Sequence, residues 1–255
     1  MNLRSAEPGG TVLEVRDLRK SFDGVQALAG VSFEVAAAER VALIGPNGAG
    51  KTTCFNVIDG QLAPDGGTVR LHGTRIDGLP PRRVARLGVG RTFQVAATFP
   101  SMTVRENVAV ALLAVRGVDG AMARSTKAAQ READAVLARL GLAALAHAHC
   151  ASLAYGDAKR VELALALAQA PRLLLMDEPT AGAGAAARDD VMRAVADATR
   201  DAGTAVLFTE HDMDVVFAHA DRVIVLDRGA IIAAGTPAQI RADARVQAAY
   251  LGTPA

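Results

Sequence analysis

Tryptophan is absent from this chain, tyrosine occurs twice, and aromatic residues together make up only 4%. A core with so few rings must be filled by Ala, Leu and Val. Cysteine is also scarce: Cys54 and Cys150 are the only two, too few for a disulfide framework, which points to a reducing compartment. Charge of one sign is lacking as well. The 28 Lys and Arg against 27 Asp and Glu leave a net charge of +1, so there is no global electrostatic case for nucleic acid as the main partner. No apolar run approaches the roughly 18 residues needed to span a bilayer. The best candidate, residues 161–176, is broken by Glu162, Gln169, Pro171 and Arg172. The opening residues 1–10 are polar and carry Gly and Pro with no apolar stretch behind Arg4, unlike a signal peptide. The expectation is a chain that does not cross a membrane by itself.

What is present is a globular balance. The 255 residues are 51% hydrophobic and 22% charged, enough to bury a sizeable core and too apolar for disorder. Strand-like and helix-like patterns alternate along the chain. Residues 11–16 and 31–35 alternate apolar and polar side chains, as half-buried strands do, around the turn-like Phe22-Asp23-Gly24. Residues 40–44 form a short apolar run, and residues 51–58 a helix, with a glycine-rich loop between them. A strand is expected at residues 68–72 and a short basic helix after Pro80-Pro81. Residues 103–115 and 128–140 carry helical apolar spacing, so residues 95–160 read as a helical insertion. Beyond it, helices at 159–170 and 188–201 alternate with strands at 173–176, 205–209, 223–226 and 231–234. Such alternation around a glycine-rich loop implies an α/β fold with a parallel sheet.

The loop itself carries the chemistry. Gly45, Pro46, Asn47, Gly48, Ala49, Gly50, Lys51 and Thr52 satisfy G-x-x-x-x-G-K-[ST] between a strand and a helix, followed by Thr53. Glycines let the backbone wrap phosphates, so that successive N–H groups and the helix N-terminus face the anion. Lys51 would reach the β- and γ-phosphates, and the Thr52 hydroxyl would ligate Mg²⁺. Chance gives such a match in about 1% of chains this long. The run Leu173-Leu174-Leu175-Met176 then delivers Asp177 and Glu178 to the end of a buried strand. Asp177 is a candidate Mg²⁺ ligand and Glu178 a candidate general base for an attacking water. Gln94 sits where the insertion begins, placed to touch Mg²⁺ and water. His211 follows a strand and is placed to contact the γ-phosphate. Phe22, upstream of the loop, is a candidate adenine-stacking ring. Leu153, Ala154, Tyr155, Gly156 and Asp157 precede a helix and suit anion binding at its start.

These elements, in this order, resemble the Walker A, Q-loop, signature, Walker B and H-loop motifs of ABC-type ATPase subunits. The likeness is closer to the ATP-binding subunits of branched-chain amino-acid importers, carried by Gly90-Arg91-Thr92-Phe93-Gln94, by Thr209-Glu210-His211-Asp212-Met213-Asp214 and by the tail at residues 246–252. The resemblance implies one ABC-type domain over residues 1–255: a P-loop NTPase (RecA-like) α/β core at 11–94 and 161–235 with an antiparallel β subdomain, a helical subdomain at 95–160 bearing the signature, and a C-terminal tail at 236–255. It also implies ATP and Mg²⁺ as ligands and Glu178, His211 and Gln94 as catalytic residues. Thr52, Gln94 and Asp177 would surround the metal. Two such subunits, identical or not, would form a head-to-tail sandwich on the cytoplasmic face of the cell membrane. In it, each ATP lies between one subunit's phosphate loop and the other's signature. The pair would drive two transmembrane permease subunits served by a soluble solute-binding protein, with no role for nucleic acid. Importers of urea, short amides or aromatic acids and lipopolysaccharide exporters share much of the pattern. A soluble ATPase of DNA repair or translation fits less well, because the chain has one cassette and no sustained heptads. A non-catalytic nucleotide-binding partner is opposed by Glu178.

Two departures from the family pattern stand out. Ala154 occupies the signature position that usually holds Ser, and residues 179–184 lack the Asp or Asn usual near the end of the D-loop. Both concern what this chain offers a partner's nucleotide, so the expectation is an asymmetric dimer whose site using residues 153–157 turns over more slowly. Other clusters read as structural. His147, His149 and Cys150 complete no four-ligand metal site. Cys54 reads as a small buried helix residue. Arg82, Arg83, Arg86 and Arg91 read as a solvated basic face, and Glu132, Asp134 and Glu162 as helix surface or partner-facing groups.

Overall fold

The computed structural model describes residues 10–92, 98–116, 122–200 and 202–250. Strands β1 (Thr11–Phe22) and β2 (Val25–Ala36) form a hairpin closed by Asp23 and Gly24, whose φ angles of 46° and 84° suit the two-residue turn that Asp-Gly favours. Then come β3 (Arg40–Ile44), α1 (Lys51–Ile58), β4 (Gly66–Leu71), β5 (Thr74–Arg75), α2 (Pro81–Leu87) and β6 (Val89–Thr92). Three helices follow: α3 (Val104–Arg116), α4 (Met122–Arg139) and α5 (Tyr155–Leu167). The chain continues through β7 (Leu173–Asp177), α6 (Ala185–Arg200), β8 (Ala205–Thr209), α7 (Met213–His219), β9 (Arg222–Asp227), β10 (Ala230–Gly235), α8 (Pro237–Ala242) and α9 (Ala244–Tyr250).

The strands divide into two sheets. An antiparallel sheet runs β2-β1-β4-β5, and a larger one runs β10-β9-β3-β8-β7-β6. In the larger sheet β9, β3, β8, β7 and β6 are parallel, and only β10 pairs antiparallel at the edge. Its central strands are buried on both faces, hence the near-continuous apolar runs of β3, β7 and β8. Their period-two alternation feeds two separate cores. Ala42, Ile44, Leu174, Met176, Val206 and Phe208 pack toward α3–α7. Val41, Leu43, Leu173, Leu175, Ala205 and Leu207 pack toward α1 and the antiparallel sheet. The sheet is therefore clamped between two hydrophobic layers, and its strand ends are rigid points from which to hang a site.

Three details differ from the pattern read in the sequence. β1 and β2 run on past their alternating stretches to meet at the hairpin, with several register shifts on the way. α5 begins at Tyr155, four residues before Lys159, and continues through residue 160, so the expected boundary at 160/161 falls inside one helix. The segment after β10 holds α8, opened by a capping box between Thr236 and Gln239 with Pro237 in its first turn. Among the described residues, no helix is long and apolar enough to cross a membrane.

Candidate functional site

The C-terminal ends of β3, β7 and β8 converge on one edge of the larger sheet, where α/β proteins form their crevices. From β3 the chain enters residues 45–50 and turns into α1. Gly50, the residue before that helix, has a φ of 105°, and a Cβ there would lie 2.4 Å from the Ala27 carbonyl oxygen. Gly48 has a φ of 80°. Only glycine meets both demands cheaply, one for a left-handed backbone and one for a close approach. Lys51 folds back over the loop, its Nζ donating to the carbonyls of Gly45 at 2.5 Å and Pro46 at 3.1 Å. Burial pushes the Lys51 ammonium below the ordinary lysine range, against the opposing pull of Glu178 and Asp177.

A cleft of about 310 Å³ opens over this loop, lined by Ala27, Glu178, His211 and residues 47–53. A second of about 370 Å³ shares Asn47, Gly48 and Ala49 as a wall and ends at Asp227 and Arg228. The first is lined by the glycine-rich loop, one lysine and two threonines, and a loop of this kind before a helix N-terminus suits a polyphosphate. At its rim the His211 Nε2 lies 2.8 Å from Glu178 Oε1. Glu178 itself is in the left-handed region, φ 49°, a conformation that costs a non-glycine residue about 1 kcal/mol or more. The surrounding bonds hold it there: its N–H donates to the Thr209 carbonyl at 3.2 Å and to Thr209 Oγ1 at 3.1 Å. The turn aims the carboxylate out of the sheet and into the cleft.

Asp177, the last residue of β7, is buried. Its Oδ1 accepts from Thr209 Oγ1 at 2.8 Å and its Oδ2 from Arg91 at 3.3 Å. Thr52, exposed on the first turn of α1, adds a hydroxyl to the cleft. Asp177 lines neither cleft but immediately precedes Glu178, which does; its carboxylate and the Thr52 hydroxyl are hard oxygen donors, and Mg²⁺ takes one or two such groups beside phosphate and water. The residues present fit that ion.

The remaining predicted positions lie elsewhere. Gln94 is outside the described residues. Phe22 stands at the β1–β2 turn, 42% exposed, under the Lys20 ammonium and outside the lining of both clefts. Leu153, Ala154 and Gly156 form the start of α5, with Ala154 capping it without any side-chain hydrogen bond. They do not line the phosphate-loop clefts of their own chain. Nothing is described of the Tyr155 side chain.

One expectation is corrected and another is narrowed. Arg82, Arg83 and Arg86 are exposed on or beside α2, but Arg91 is not part of that face. Its side chain is 9% exposed and ion-paired with Asp59 at 2.6 Å as well as with Asp177, because β6 carries it under the sheet edge toward the end of α1. Glu162 is buried and pairs with Lys159 at 3.1 Å. It lines a groove of about 200 Å³ with Arg91, Thr92, Phe99, Asn107 and Gln169 between α3 and α5, so the solvated-surface reading of Glu162 fails while the partner-facing one stays open. Burial pushes the Glu162 carboxyl up, with Lys159 opposing. The histidines hold structure: His149 Nδ1 lies 3.0 Å from the Ser101 carbonyl oxygen, and no cluster of metal-ligating side chains exists among the described residues.

Two residues at this edge escaped the sequence reading. Thr209 bonds to both Asp177 and Glu178. Glu210 is 3% exposed, and its carboxylate accepts from the Thr180 N–H at 2.8 Å, the Thr180 hydroxyl at 2.5 Å and the His211 N–H at 3.1 Å. The signal available in the sequence was their position at the end of an apolar run, beside His211.

Comparison with known proteins gives a family and a set of relatives. A family model described as ABC transporter matches residues 28–181, and one described as branched-chain amino acid ATP-binding cassette transporter matches residues 230–255. The high-affinity branched-chain amino acid transport ATP-binding protein BraF of Pseudomonas aeruginosa is 40% identical over 249 residues, 94% of this chain and 98% of that protein. The corresponding protein LivG of Escherichia coli is 38% identical over the same span. The lipopolysaccharide export system ATP-binding protein LptB of Acidithiobacillus ferridurans is 35% identical over 94% of this chain and 97% of that protein. Among solved structures, the ADP conformation of an ATP-binding cassette of an ABC transporter superposes with a TM-score of 0.84 at 29% identity, covering 96% of this chain and 100% of that one.

Proposed function

This chain belongs to the ABC transporter family, and within it we propose that it is the ATP-hydrolysing subunit of an importer for branched-chain or other hydrophobic amino acids. The observation that carries the catalytic part is the convergence of the Lys51 loop, Glu178 and His211 on one cleft. Backbone N–H groups of residues 47–51 and the Lys51 ammonium bind the phosphates, so Lys51 exchanges its loop carbonyls for phosphate oxygens. Thr52 and Asp177 hold Mg²⁺, which neutralises charge on the phosphates when bound. Glu178, aimed into the cleft by its left-handed turn, orients and deprotonates the attacking water. His211, against Glu178, keeps that carboxylate in place and faces the γ-phosphate. Gln94 joins this set from the segment after β6.

The start of α5 lies apart from the cleft, which supports a second ATP-binding subunit, of the same or another chain, supplying Leu153, Ala154, Tyr155 and Gly156 across the nucleotide. ABC ATP-binding subunits work as dimers with membrane components. Here the groove between β6, α3 and α5 is the surface offered to the two permease subunits, on the cytoplasmic face of the membrane. Ala154 and the departure in residues 179–184 make the site built with this chain's signature the slower one. Adenine stacking by Phe22 belongs to the same reading.

The solute class is supported by the tail match at residues 230–255 and by the greater identity to BraF and LivG than to LptB. The test is ATP hydrolysis by this chain assembled with candidate permease subunits, a partner ATPase and a solute-binding protein in lipid vesicles. Stimulation by leucine, isoleucine or valine is expected. Stimulation by urea or aromatic acids alone would reassign the solute, and no turnover in any combination would make the chain a non-catalytic partner.

A further inference from the structure

The Asp177 carboxylate is held from two directions, by Thr209 on β8 and Arg91 on β6. We propose that Arg91 and Thr209 are positioning residues that clamp Asp177 and thereby set how tightly the cleft takes Mg²⁺; this rests on the Mg²⁺–nucleotide reading of the site.

Each oxygen of Asp177 has its own donor. Thr209 Oγ1 donates to Oδ1 at 2.8 Å, and the hydroxyl that does so is 32 residues further along the chain and 1% exposed as a residue. Arg91 donates to Oδ2 at 3.3 Å from β6, on the far side of β7 from β8. The carboxylate plane is thus fixed by neighbours on both flanks before any ion arrives. A ligand held in this way loses little freedom on binding, and such supporting bonds typically change metal affinity 10- to 100-fold when removed.

The guanidinium is also balanced so as not to compete with the ion. Its shorter bonds go elsewhere, to Asp59 Oδ2 at 2.6 Å and Asn56 Oδ1 at 2.7 Å, both at the end of α1. Phe55 places its ring 5.8 Å below. Asp59 therefore carries most of the charge pairing, and Asp177 receives the longer, weaker contact. Mg²⁺ can share Asp177 without expelling Arg91. The same side chain ties the helix that bears Lys51 and Thr52 to the strand that bears Asp177, so both halves of the metal site share one brace. Thr209 has a second duty toward Glu178, but the Glu178 N–H keeps the Thr209 carbonyl as acceptor when the hydroxyl is lost.

The experiment is binding of a fluorescent ADP analogue to the purified full chain, first in chelator and then across a Mg²⁺ titration. Wild type should bind more tightly as Mg²⁺ rises, and Asp177→Asn should abolish that gain. Thr209→Val and Arg91→Lys should each raise the Mg²⁺ concentration at half-effect about tenfold or more, while affinity in chelator stays within about twofold. Thr209→Ser should restore the wild-type midpoint. Unchanged midpoints in both variants would overturn the clamp, as would losses of equal size with and without Mg²⁺. If Arg91→Lys does not fold, the near-isosteric Thr209→Val decides alone. A wild-type chain that binds nucleotide but ignores Mg²⁺ would overturn the metal reading itself.

Discussion

Glu210 is the residue whose removal the structure makes most costly at this edge of the sheet. Its buried carboxylate collects two backbone N–H groups, from Thr180 and His211, and the Thr180 hydroxyl. In Glu210→Ala the hydroxyl can turn to another acceptor, but the two N–H groups stay buried beside a new void. At about 1–3 kcal/mol for each of the two stranded donors, the loss should be about 2–6 kcal/mol. For a chain of this size that lowers Tm by about 4–24 °C. Glu210→Gln should cost less, about 1–3 kcal/mol, because its carbonyl oxygen can still serve Thr180 while its amide opposes the His211 N–H. The same carboxylate ties the segment after Glu178 to His211, so both variants should lower kcat more than they raise KM for ATP. Urea unfolding followed by fluorescence of a bound nucleotide analogue and by circular dichroism, with a parallel ATPase assay, measures both quantities. A loss below about 1 kcal/mol for Glu210→Ala, or equal losses for Ala and Gln, would refute the reasoning.

Other expectations are simpler. Burial pushes the Cys54 thiol up to about 12, so mass spectrometry should find it unlabelled by iodoacetamide at pH 8 until the chain unfolds, with Cys150 reacting first; rapid native labelling of Cys54 would contradict its placement. Burial works against ionisation of Asp221, but the Arg40 side-chain and backbone hydrogen bonds outweigh it and hold the carboxyl below the usual range. A depressed folded pKa gives stability that is present above the unfolded value near 3.9 and lost as pH falls through the lower folded value. Asp221→Asn should therefore lower stability at neutral pH by about 0.5–1 kcal/mol after solvent screening and flatten the acid limb of the pH–stability curve; an unchanged acid limb would remove Asp221 from the account. Ala154→Ser adds the missing side-chain cap to α5, which should raise stability by about 1 kcal/mol. No gain in thermal unfolding would show that the helix start is already satisfied.

The parts of the molecule legible in sequence are those governed by neighbours in the chain. Leu173-Leu174-Leu175-Met176 reads as a doubly buried strand because both faces must be apolar, and the glycines of residues 45–50 read as a phosphate loop because the backbone there must approach closely. Arg91 was not legible. Beside Arg82, Arg83 and Arg86 it looks like one more solvated cation, and only its partners, 32 residues back at Asp59 and 86 forward at Asp177, give it a buried role. Glu162 misleads in the same way, since its i,i+3 Lys159 resembles a surface pair until α3 is laid over the helix. The long β1 hides its second half because Arg16, Asp17, Arg19 and Lys20 break the alternation; the ion pairs they make along the sheet surface are visible only in three dimensions. The cap of α8 was a missed opportunity: Thr236, Pro237 and Gln239 spell a helix start in sequence.

On the proposed function, this cleft hydrolyses Mg²⁺-ATP through Glu178. The direct test is phosphate release by the purified chain, alone and co-expressed with candidate partner subunits, beside Glu178→Gln. Turnover is expected in wild type, alone or in the assembled pair, and its loss in Glu178→Gln with ATP binding retained. Turnover that survives the substitution, or tight ATP binding with no turnover in any assembly, would contradict it.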